Sequence, residues 1–257
     1  MKKDIKEIFK NSGNNFHYKV VSFLREKGWN TTVSPYYNDN FTDKPREIDI
    51  IAEKNFPVQD VLNRYILSIN IRFFIECKYI NEDAIFWFDN CDNIKARQKV
   101  ISETSIDNPE NWSKRHRYLD AQKVAKLFES SNDRNIENQT LYKALTQSLN
   151  SLVYYKELHS IIPPYQLNWK TLNYPIILCS SFDKFYNYDI DIKNELENIK
   201  ENFLLEINYA YIDKSRENQQ EYFLIDIVAF DNFENFINEV ESKDLAFVKE
   251  YLYFTKR

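Results

Sequence analysis

The chain has 257 residues, a formal net charge of −5, 43% hydrophobic and 16% aromatic residues, and only two glycines and seven prolines. A sequence of this length and apolar content can bury a sizeable core, and its composition excludes disorder, collagen-like repeats and a disulfide scaffold. The acidic balance speaks against indiscriminate polyanion binding, and the lack of an apolar signal or membrane-length stretch predicts a cytoplasmic protein with no membrane partner.

In chain order, Phe16, Val20, Val21, Phe23 and Leu24 recur at helical spacing, which predicts a helix over 14–27 stopped by Gly28. Trp29 to Tyr37 read as a strand that runs into a turn at Ser34–Asn40, and further strands are expected over about 46–53 and 65–79. The stretch 82–135 reads as a helical insertion, its best helix spanning 117–130. A helix over 138–157 places Leu141, Ala144, Leu145, Leu149 and Leu152 on a packing stripe, with Lys143, Gln147, Asn150 and Tyr154 on a second, available one. Tyr174–Ser180 is a short, wholly apolar strand of the buried kind. Strands over 203–212 and 221–230 and an amphipathic helix over 232–253 complete the chain. The expected fold class is α/β: a core over 1–182 with a mixed central sheet flanked by helices, and a β-β-α extension over 183–257 packed on it.

Two of these strands carry charges that need an explanation. Asp49 interrupts the apolar run Ile48–Ala52, and Glu76 and Lys78 share one face of the strand Phe73–Tyr79 while Ile75, Cys77 and Tyr79 take the other. Crowding such groups at the ends of apolar strands is costly unless a cation or a phosphate compensates them. An acid-x-Lys triplet alone is a poor signal, since Asp4–Lys6, Asp191–Lys193 and Glu241–Lys243 repeat it. Only the copy at 76–78 lies in an apolar strand that follows an acid-bearing one and precedes a helix and another apolar strand. Cys77, Cys91 and Cys179 form no CxxC pair and read as small buried hydrophobes. No glycine-rich loop is present for a nucleotide cofactor.

This pattern resembles the PD-(D/E)XK nuclease superfamily, with its restriction endonuclease-like core of helix, three-stranded meander, helix and further strand. The resemblance is greatest to Mrr-type restriction enzymes and Holliday-junction resolvases. It covers residues 14–80, weakens over 81–137, returns over 138–182, and implies catalytic roles for Asp49, Glu76 and Lys78. His17 stands eleven residues before Gly28, where relatives carry Glu, and joins the candidate set. Gln147 matches the family's helical Gln, although Tyr154 lies farther along than a Gln-x-x-x-Tyr motif places it. The implied cofactor is Mg²⁺, with Mn²⁺ able to substitute, held by Asp49, Glu76 and the Cys77 carbonyl.

Beside these, Lys114, Arg115 and Arg117 form the densest basic cluster, flanked by Trp112 and Tyr118, and with Lys143 they are candidates for phosphate contacts. Glu47 reads first as a salt-bridge partner of Arg46 or Lys44, and Asp226 as a locally hydrogen-bonded strand residue. The expected activity is hydrolysis of DNA phosphodiester bonds in restriction or anti-phage defence, with DNA as partner and a homodimer or defence complex as assembly. The alternatives are a nuclease-fold binding or regulatory subunit without turnover, and RNA as substrate.

Overall fold

The computed structural model describes residues 13–59, 65–130, 140–156, 168–191 and 195–255. The first helix, α1 (Gly13–Glu26), buries Phe16, Val20, Val21 and Leu24. Gly28, at φ 79°, ends it: its amide donates to Arg25 O and the Trp29 amide to Leu24 O, the paired bonds of a Schellman stop. Trp29 then stacks on Phe73 with ring centroids 4.3 Å apart.

The segment expected as one strand over Trp29–Tyr37 is two, β1 (Asn30–Val33) and β2 (Tyr36–Asp39). Ser34, in the left-handed region at φ 52°, and Pro35 break it. The strand expected over 46–53 is also split, into β3 (Lys44–Glu47) and β4 (Ile50–Gln59), with Asp49 in the bend between them. β2 and β3 pair only with each other, as a hairpin outside the main sheet. β5 (Tyr65–Lys78) follows as expected.

The region 82–130 corrects the sequence reading most. It is β6 (Ala84–Asn90), α2 (Asn93–Thr104), a single turn α3 (Arg117–Asp120) and β7 (Lys123–Ser130), where a helix over 117–130 was expected. Leu119, Val124, Leu127 and Phe128 fit a helical stripe, but pairing with the aromatic strand β6 from Ala84↔Ser130 to Asn90↔Lys123 overrides that local preference. Asp92 caps α2 by accepting from the Lys95 amide at 3.0 Å. The end of the expected insertion, 131–135, lies outside the described residues.

Next come α4 (Thr140–Tyr155), β8 (Asn168–Cys179), β9 (Phe185–Asp189), the short β10 (Glu197–Asn198), β11 (Phe203–Ile212) and β12 (Asn218–Ala229). The chain closes with α5 (Phe233–Glu239), a π-helical turn Val240–Leu245 and α6 (Ala246–Thr255).

One mixed ten-stranded sheet runs in the order β1-β4-β5-β8-β12-β11-β7-β6-β9-β10. β1, β4 and β5 form an antiparallel meander, and β8 lies parallel to β5 and β12 parallel to β8. The last two strands, β11 and β12, therefore lie within the sheet, between β8 and β7. On one face α1, α2 and the C-terminal helices cover Ile50, Phe73, Ile75, Ile176, Leu178 and Val228. On the other, α4 covers Ile51, Phe74, Ile177, Ile225 and Ile227. Strand alternation deals each strand's side chains to these two cores in turn. No described helix is long and apolar enough to cross a membrane.

Candidate active site

The C-terminal ends of the parallel strands meet at one edge of the sheet, where Lys78 of β5 and Ala229 of β12 both pair with Cys179 of β8. In open α/β sheets such an edge is where ligands find exposed backbone and convergent side chains. Alternation along β5 sends Glu76 and Lys78 to the α4 face with Phe74, and Cys77 to the opposite core.

Asp49 is placed by two hydrogen bonds on either side of its bend. Its carbonyl accepts from the Ser34 amide at 2.9 Å, and its Oδ2 accepts from the Cys77 amide at 2.8 Å. The carboxylate thus occupies the position a further ladder bond between β4 and β5 would take. Lys78 Nζ lies 2.8 Å from Glu76 Oε2 and 3.8 Å from Asp49 Oδ2, so one ammonium serves both acids. His17 of α1, with 24% of its side chain exposed, brings Nε2 to 3.4 Å from the same Asp49 oxygen.

Glu76 is fully buried, and its Oε1 has no hydrogen-bond partner. Burial raises its carboxyl to about 8, with Lys78 pulling it down and Asp49 pushing it further up. Burial lowers the Lys78 ammonium, yet the Glu76 and Asp49 carboxyls outweigh that and leave it above its ordinary value. Lys78 is thus a charged ammonium beside an acid whose own charge burial opposes. Burial likewise pushes the Cys77 thiol well above its usual range. Ligand atoms of His17, Asp49 and Cys77 all lie within 4.8 Å of one another, a mixed nitrogen, oxygen and sulfur set.

Of the residues expected at the site, Asp49, Glu76, Lys78 and His17 come together. Gln147 sits close by in a supporting place: its Nε2 donates to the Glu47 carbonyl at 3.2 Å, two residues before Asp49. Glu47 itself draws its side chain toward the Tyr36 hydroxyl rather than toward the metal candidates. Lys143 is exposed on the same helix as Gln147.

In the basic cluster Arg117 differs from Lys114 and Arg115, whose side chains are exposed. Arg117 is partly buried and donates from Nε to Asp244 at 2.9 Å and from Nη1 to Asp226 at 2.9 Å. Burial opposes its charge, but the two carboxylates hold it well above the normal guanidinium range. Its guanidinium is engaged by these two carboxylates. Arg115 pairs with Asp120 at 3.3 Å, and the Lys114 amide is fastened to Glu250 of α6 at 2.7 Å. Asp226, read as a locally bonded strand residue, is half of this buried ion network. Nothing in its own neighbourhood of sequence announces Arg117, 109 residues earlier, as its partner.

Sequence reasoning missed Tyr37 as a neighbour of the acids. Burial first, and then the nearby Glu76 and Asp39 carboxylates, raise its phenol far above the ordinary value. Comparison with known protein families, with curated proteins and with solved structures finds no match for this chain.

Proposed function

We propose that the protein is a divalent-metal-dependent endonuclease that hydrolyses DNA phosphodiester bonds, built on a restriction endonuclease-like core and serving restriction or anti-phage defence. The observation that carries this reading is the buried Glu76, one oxygen on Lys78 and the other without a partner, beside Asp49 at the ends of β4 and β5. A purely structural acid in the interior is expected to have its oxygens satisfied. The order α1, β1-β4-β5 meander, α4 and β8 parallel to β5 supports the same reading.

An all-oxygen donor set would suit Mg²⁺, which takes hard oxygen ligands, with Mn²⁺ able to take its place, whereas the His17, Asp49 and Cys77 side chains make a softer set. Asp49, Glu76 and the Cys77 carbonyl would hold the ion, which when bound supplies positive charge for a phosphoryl oxygen and acidifies a coordinated water. Lys78, a compact charge on a flexible stem, neutralises the charge that develops on the phosphate and orients the attacking water. Glu76 must give up its proton before it can ligate, so loading is coupled to proton release. His17 holds Asp49 in place from the α1 side, and Gln147 braces the backbone that leads into it.

Purified protein is expected to cut DNA with Mg²⁺ or Mn²⁺, to be silenced by EDTA, and to lose cutting in Asp49→Ala, Glu76→Ala and Lys78→Ala. Cutting that survives all three substitutions would end this reading.

A further inference from the structure

Next to the acids lies a cleft of about 590 Å³. Its walls are the β2–β3 hairpin, the second stripe of α4 and the outer half of β11, and they carry Tyr37, Tyr142, Tyr154, Tyr209 and Tyr211. Its volume lies inside the range of small-ligand sites, about 300–1,000 Å³.

The walls are held from several sides. Tyr209 donates from its hydroxyl to Asn150 Oδ1 at 2.9 Å, joining β11 to α4. Asn40 at the hairpin tip donates to Ile212 O at 3.0 Å, and Arg216 donates back to Asn40 O at 2.8 Å. Asp39 accepts from the Phe41 amide and the Thr42 hydroxyl, which fixes the tip itself. Tyr37 and Tyr154 stand with ring centroids 6.3 Å apart. Such bracing leaves aromatic faces and amides presented at little ordering cost to a ligand.

Asp49, Glu76 and Lys78 do not line the cleft, but two of its lining residues lead toward them. Tyr37 forms part of its wall and feels the Glu76 carboxyl, while Gln147 lines it and bonds to the backbone leading into Asp49. Its cations are few, Lys143 and Arg46 on the lining and Lys214 over the Tyr154 ring at 5.6 Å. None of the sequence's densest basic cluster, Lys114, Arg115 and Arg117, lines this cleft.

We infer that this cleft receives an unpaired nucleotide of the DNA strand being cut, its base stacked on the tyrosine walls and its phosphate directed toward Asp49 and Glu76. This rests on the nuclease reading above. A base inside a duplex is already stacked on its neighbours and cannot offer its faces to protein rings, whereas an extruded or single-stranded base can. Amides such as Asn150 and Gln147 suit the hydrogen-bonding edge of a base, and Lys143 and Arg46 suit its backbone. With two or three phosphate contacts, the slope of log affinity against log salt should be shallow, roughly −1.4 to −2.1.

The test uses an oligodeoxynucleotide carrying 2-aminopurine, whose fluorescence is quenched by stacking, added to the full chain in EDTA so that cutting does not intervene. Single-stranded probe and duplex with an unpaired bulge should bind with quenching, at least tenfold tighter than perfect duplex. Tyr142→Ala should weaken binding by roughly 5- to 150-fold, the worth of one stacked base, while Tyr142→Phe keeps it. Lys143→Ala is a second variant, on an exposed position that leaves folding undisturbed, and should flatten the salt slope. An RNA probe of the same sequence shows whether the sugar matters.

Equal binding of duplex and single strand, or binding unchanged in both Tyr142→Ala and Lys143→Ala, overturns the inference. Parallel cutting assays in Mn²⁺ separate the two claims. Duplex cut at the same rate by wild type and Tyr142→Ala removes the cleft and leaves the nuclease. Quenching without any cutting keeps the cleft and removes the nuclease.

Discussion

Two of the places where the described residues gather two carboxylates and one cation below the surface are built to opposite ends. Around Arg117, 9% exposed, Asp226 and Asp244 are matched donor for acceptor: Nε and the backbone amide serve Asp244, both terminal nitrogens reach Asp226, and the Tyr118 hydroxyl adds another bond. At the edge of β5, Lys78 is shared unequally between Glu76 and Asp49, and one Glu76 oxygen is left over. Burial raises both Asp226 and Glu76, and in each the neighbouring cation pulls the carboxyl down without cancelling that rise. A charge cluster that only supports the fold closes on itself. One that is left open, at the converging ends of parallel strands, is poised to take up a further partner.

The contrast breaks most sharply at Arg117. Arg117→Ala leaves two buried carboxylates without their counter-charge and is expected to lower stability by about 3–5 kcal/mol, read as a reduced urea midpoint, with no specific effect on metal affinity. Asp49→Ala and Glu76→Ala should do the reverse: cutting falls by about 10²–10³-fold or more while the urea midpoint moves little. If Glu76→Ala unfolded the protein as badly as Arg117→Ala, the distinction between the two clusters would be lost.

A pH titration sharpens it further. The folded Glu76 carboxyl titrates near 8 against 4.5 for the free group, so in this window the folded state holds more protons than the unfolded one. Its contribution to stability is complete below about 4.5 and is lost as pH rises toward about 8, by up to a few kcal/mol. Melting of the metal-free protein between pH 5 and 8 should show this decline, and Glu76→Gln should flatten it. The same proton makes Mg²⁺ or Mn²⁺ binding stronger as pH rises across the window. The smallest effect belongs to the surface: Lys114→Ala and Arg115→Ala should stay within about 0.5 kcal/mol of wild-type stability.

Much of the site-bearing half could be read from the chain because its signals are local. Gly28 announces the end of α1, the leucine stripe announces α4, and the unbroken apolar run 174–180 announces a buried strand, though β8 begins earlier, at Asn168. Glu76 and Lys78 were legible as one face of a strand for the same reason. What failed was non-local. The strand β7 looks helical until β6 pairs with it, and Arg117 looks like a solvated base until Asp226 and Asp244, each more than a hundred residues away, close around it. The tyrosine cleft draws on a hairpin, a helix and a strand spread over 37–212; the α4 stripe of Gln147, Asn150 and Tyr154 hinted at it, but nothing local joins that stripe to the hairpin and strand.

The most direct test of the central claim is Mn²⁺ binding by calorimetry at pH 8, paired with DNA cutting in the same samples, for wild type, Asp49→Asn and Glu76→Gln. Wild type is expected to bind the ion and cut, and both variants, still folded, to lose binding and cutting together. Equal Mn²⁺ affinity in all three proteins, or cutting by a variant that no longer binds the ion, would contradict the account.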